Sequence, residues 1–164
     1  MRNTKKLVTL ALLTTVALML SYVEAMLPSF GVPGVKMGLA NIAVIFVLYR
    51  FGPREAALIS LFRVVLNGFL FTGLSALLYS FCGAVLSLLG MILLKKSDRF
   101  SAVGVSVAGG VLHNAGQILV AMLVMETTAF TYYFPVLALS GTISGILIGL
   151  CGAELVKKVP ENFR

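Results

Sequence analysis

Acidic residues are nearly missing from this sequence: there are six among 164 positions, and only Asp98 is an aspartate. No two of them lie close enough in sequence to act together. Chemistry that holds magnesium with clustered carboxylates against a diphosphate is therefore beyond this chain alone. Histidine occurs once, as His113. With no second histidine, cysteine or acidic neighbour beside it, it makes a poor metal site. The two cysteines, Cys82 and Cys151, lie in apolar segments without CxxC spacing and read as small buried hydrophobes. No Ser/His/Asp set, phosphate-binding glycine loop or haem motif is present, so no cofactor is expected. By itself the chain is not expected to be an enzyme. Any ATP-driven process that uses it must borrow its ATPase.

Charge of either sign is also scarce, at 12% of residues against roughly a quarter in soluble domains. So few charges cannot keep a compact body of this size in water. What fills the chain instead is apolar sequence, 59% of it, with a mean hydropathy of +1.03. A spanning helix needs roughly 20 apolar residues. Spans are read over 7–27, 36–50, 53–72, 74–94, 101–125 and 131–156. The second is short, and the turn near Thr72-Gly73 carries no charge to mark it. Pro28 to Gly34 form a breaker cluster and predict a structured loop. The fold class expected is all-α: a polytopic six-helix transmembrane bundle, one domain over 1–164 with no soluble appendage.

The net charge of +7 does not point to nucleic acid, because the basic residues punctuate apolar segments and form no patch. Their placement sets orientation. Arg2, Lys5 and Lys6 precede the first span, and Arg50 and Arg54 separate the second from the third. Lys95, Lys96 and Arg99 separate the fourth from the fifth, and Lys157, Lys158 and Arg164 follow the sixth. All fall on one side if the spans number six, so both ends are cytoplasmic. The basic start and Val23-Glu24-Ala25 also resemble a cleavable signal peptide. The long apolar run and the even parity favour a retained span.

Small residues recur every four positions: Gly141, Gly145 and Gly149; Ala102, Ser106 and Gly110; Ala17, Ser21 and Ala25. This spacing lets helices approach closely. Packing within the bundle explains it, and docking of a partner's helix is the alternative for the first span. Tyr132, Tyr133 and Phe134 suit an outer aromatic belt.

Polar groups inside a bilayer are costly, and each is a site hypothesis by default. Glu24 lies near the outer end of the first span. Lys36 opens the second, and Asn41 follows one to two turns deeper. Arg63 is mid-way along the third, with Asn67 one turn on. His113 and Asn114 sit mid-way along the fifth, and Gln117 shares the face of His113. If these residues meet, they bound a pocket open to the outside and floored near the bilayer centre. Lys36 and Arg63 against Glu24 favour a ligand with an anionic group. The alternatives are an interfacial Glu24–Lys36 pair, Arg63 as a strut, and His113 as a satisfied core histidine.

The stretch Leu27-Pro28, Pro33-Gly34-Val35-Lys36 and Gly38-Leu39-Ala40-Asn41-Ile42 resembles a signature of the Gx transporter family. His113-Asn114-Ala115-Gly116-Gln117 resembles its second signature, and Glu24, Arg63, Gly83 and Pro135 also fall in place. Met37 stands where leucine is expected. Members of that family also carry the description heptaprenyl diphosphate synthase component I, and they are similar to the substrate-binding S components of energy-coupling-factor vitamin transporters. The resemblance implies a six-helix bundle in a bacterial cytoplasmic membrane, with an outward-opening pocket for a small molecule. It also implies a transmembrane coupling subunit with separate ATPases, met through small residues on the first helix. Three functions are open: a substrate-capturing transporter subunit, a non-catalytic accessory to prenyl diphosphate synthesis, or a scaffold without ligand. Lipid surrounds the chain in each.

Overall fold

The computed structural model describes residues 2–26 and 37–160, and among these are six α-helices and no strand. They are α1 (Arg2–Met26), α2 (Asn41–Arg50), α3 (Pro53–Asn67), α4 (Leu74–Lys96), α5 (Ala102–Val124) and α6 (Phe134–Lys158). A π-helical turn, Gly68–Thr72, extends α3, and a 3-10 turn, Ala129–Tyr133, leads into α6. Five of these helical segments are long and apolar enough to cross a membrane. The chain is a multi-pass membrane protein, and its apolar outer faces belong to lipid.

The second helix departs from the sequence reading. It has 10 residues, about 15 Å at 1.5 Å per residue, or half of a hydrocarbon core of about 30 Å. The cause is local. Gly38 adopts φ +71°, a left-handed conformation that suits glycine, and residues 39–40 form a turn. The helix therefore starts at Asn41, deep inside the bundle. Everything from Ala43 to Leu48 is buried. The expected loop over Pro28–Gly34 and the candidate residue Lys36 lie outside the described residues.

The basic residues tie the helix ends together on one side. Lys6 of α1 pairs with Glu55 in the first turn of α3. The Arg50 guanidinium donates to the carbonyl of Val159, just past α6, and Lys95 of α4 donates to the carbonyl of Leu48. Lys95 also lies over the Tyr49 ring, 4.9 Å from its centre. The start of α1 and the ends of α2, α4 and α6 are thus level, on the cytoplasmic side by the positive-inside rule. At the opposite end, Gly73 at φ +86° reverses the chain between α3 and α4 without any charge.

Glycines set the closest helix contacts. A Cβ on Gly141 would lie 2.8 Å from the carbonyl carbon of Gly110, and one on Gly145 would lie 2.6 Å from the Cα of Val107. One on Gly149 would lie 2.7 Å from the Cα of Val103. The small-residue stripes on α5 and α6 are therefore internal seams. The stripe on α1 divides: Ala17 is 0% and Ser21 6% exposed, packed inside the bundle, whereas Ala25 is exposed. Elsewhere α1 presents bulky Leu12, Met19 and Val23 outward. Cys151 is exposed on the outer face of α6, not buried as the sequence suggested, and Cys82 is half-buried.

Candidate ligand-binding site

Along α3, Leu58, Phe62 and Leu66 face outward. The opposite stripe carries Ser60, Arg63, Val64 and Asn67 into the bundle. Helical periodicity thus forces Arg63 and Asn67 inward together. There they meet Asn41 at the start of the short α2. Arg63 Nη2 donates to Asn41 Oδ1 at 3.2 Å, at the first residue of α2. Glu24 accepts from the Gly38 backbone N–H, and its negative charge acts on Arg63.

These groups line one cavity of about 120 Å³. Of the eight residues singled out in the sequence, six are on its wall: Glu24, Asn41, Arg63, Asn67, His113 and Asn114. Gln117 is not. It lines a separate space nearer the outer end, although it shares a helix face with His113. The cavity is also deeper than expected. It reaches past His113 to Ser87, Met91 and Ser106, towards the cytoplasmic ends of α4 and α5, instead of stopping near the centre.

Serines complete the wall: Ser21, Ser80, Ser87, Ser106 and Ser144, from four helices. Sequence reading missed Ser80, Ser87 and Ser144 as site residues. One signal was present, because Ser80 and Ser87 are seven apart and so share a face of α4.

Three buried polar atoms on this wall have no partner: Ser21 Oγ, Arg63 Nε and Asn67 Oδ1. Buried polar groups are ordinarily satisfied, so three orphans around one space call for water or a ligand. A donor on a guanidinium, an amide oxygen and a hydroxyl can together hold an anionic group bearing its own donor. Asn114 is engaged differently. Its Nδ2 donates to the carbonyl of Leu137 at 2.6 Å, which fastens α5 to α6. Gly83 on α4 admits the close approach of α5 here, since a Cβ on it would lie 2.7 Å from the carbonyl oxygen of His113.

Residues 13–155 match the family described as heptaprenyl diphosphate synthase component I. The chain belongs to that family. The match spans the residues on the cavity wall, from Ser21 to Ile148. No curated protein and no solved structure matches the chain.

Proposed function

We propose that this component I protein is the membrane-embedded substrate-binding subunit of a small-molecule transporter, capturing an anion-bearing ligand from the outer face. One observation carries the reading: Arg63 and Asn67, which line one cavity, each hold a buried polar atom without a hydrogen-bond partner. An arginine at this depth costs at least a few kcal/mol unless hydrated or paired. A strut would satisfy the guanidinium fully with protein groups. Here Asn41 takes one of its donors, and the rest is suited to an anion. Glu24 and Asn41 sit beside it, and His113 and Asn114 form the α5 wall. Gln117 serves the adjoining space. No residue is assigned a catalytic role. A coupling subunit and separate ATPases would supply the energy in the membrane of a bacterial cell.

The family description favours a second reading, a non-catalytic membrane component that works with a partner synthase. Mass spectrometry of the protein purified in mild detergent separates the two. A bound small anion, lost in Arg63→Gln, supports capture. A stoichiometric soluble synthase with no small molecule supports the accessory role and overturns capture.

A further inference from the structure

The polar cavity is small. About 120 Å³ holds roughly four waters at about 30 Å³ each, whereas pockets for drug-sized ligands run from about 300 to 1,000 Å³. Beside it, at the outer ends of α4 and α5, lies a second space of about 440 Å³. Its wall is almost wholly apolar: Ala76, Ile118, Ala121, Met125, Phe130 and Leu137, with Tyr79, Tyr133 and Gln117 as polar points. Ser80 lines both spaces. A polar chamber with an arginine therefore adjoins a larger apolar chamber across one serine.

We infer that the two chambers hold one ligand: a single-chain amphipathic anion, its head at Arg63 and its apolar chain between α4, α5 and the Ala129–Tyr133 turn. The inference rests on the capture reading above and narrows it. Neither chamber alone suits the whole molecule. The polar one is too small for more than a compact head, and among the described residues the apolar one has no cation on its wall. Shape and charge complementarity together select a molecule with both parts.

Binding of inorganic phosphate, n-butyl phosphate, n-octyl phosphate and n-octanol to the protein in phosphatidylcholine nanodiscs tests this. Octyl phosphate should bind at least tenfold tighter than butyl phosphate, and octanol should bind weakly. Arg63→Gln should weaken both alkyl phosphates at least tenfold. Ala121→Phe, which fills the apolar chamber, should remove the preference for the longer chain and spare butyl phosphate. Ala76→Phe does the same from the α4 side if the first variant fails to fold. Arg63-dependent binding that ignores chain length would leave capture standing and overturn the two-chamber ligand. Chain-dependent binding indifferent to Arg63 would make the apolar space a separate lipid site and overturn it as well. No Arg63-dependent binding of any phosphate would sink the capture reading itself.

Discussion

The two halves of this bundle are built on opposite terms. Towards the cytoplasmic side, Ala43 to Leu48 of α2 pack with Ala56 and Ile59 of α3, Leu88 and Met91 of α4, Val105 of α5 and Ile148 of α6 in one apolar core. Three basic groups at its rim are engaged, Lys6 with Glu55, Arg50 with Val159 and Lys95 with Leu48, while the buried Tyr49 hydroxyl there has no hydrogen-bond partner. Above Asn41 the same helices enclose Glu24, Arg63, Asn67 and partnerless polar atoms. Around α2 the space is filled with valine, isoleucine and leucine. Around the cavity the neighbouring helices carry serine, asparagine and arginine, and the cavity reaches down to Ile45, Met91 and Ile148 at the edge of that core.

Substitutions can break this contrast, and the largest effects belong to the packed seams. Gly110→Val puts a side chain on the carbonyl of Gly141, with no flexible group to yield. Little folded protein should survive size-exclusion chromatography. Gly104→Val, on the same helix but with no atom closer than 3.7 Å to its added Cβ, should behave like wild type. If both tolerate valine, the α5–α6 seam is not what holds the bundle.

Next comes the core. Leu48→Ala removes one of the largest fully buried side chains and should cost about 2–5 kcal/mol. At roughly 2–4 °C per kcal/mol for a chain of this size, the unfolding midpoint should fall by about 5–15 °C. Ligand affinity should stay close to wild type, because the residue is remote from the cavity. A selective loss of binding would blur the division between the halves.

Asn114→Ala sharpens the comparison, since this residue lines the cavity and also fastens α5 to α6. It loses the bond to the Leu137 carbonyl, worth about 0.6–1.7 kcal/mol within a membrane. The midpoint should drop by a few degrees, with binding weakened less than by a change at Arg63. Smallest is Lys6→Ala. Its pairing with Glu55 is partly exposed, so under about 1 kcal/mol should be lost. A larger effect on the midpoint would mean that the cytoplasmic ties matter more than the core.

Much of this arrangement was legible in the sequence because membrane burial is written in composition. The apolar runs located the long helices, and Thr72-Gly73 was the α3–α4 turn despite having no charge. Glu24, Asn41, Arg63, Asn67, His113 and Asn114 were visible as polar residues in apolar surroundings, and they share one cavity. The start of α2 was not legible. Residues 36–50 are apolar enough for a span, and only the backbone dihedral of Gly38 decides that the helix begins at Asn41. Gln117 was grouped with His113 because four residues nearly complete a turn. His113 lines the polar cavity and Gln117 the adjoining apolar space, and one-dimensional spacing carries no such information. Ser80, Ser87 and Ser144 do not stand out in the sequence, because serine in a membrane helix is commonly a small packing residue.

The central claim is that Arg63 serves a ligand and not the fold. The thermal unfolding midpoint of Arg63→Gln against ligand-free wild type, in one detergent, tests it most directly. Glutamine can still donate to Asn41, and the buried guanidinium contributes little to the empty protein. The two midpoints should therefore agree within about 3 °C, under about 1.5 kcal/mol on the same scale. A strut whose charge is fully paired would cost about 3–5 kcal/mol when broken, and a fall of roughly 6 °C or more would contradict the account.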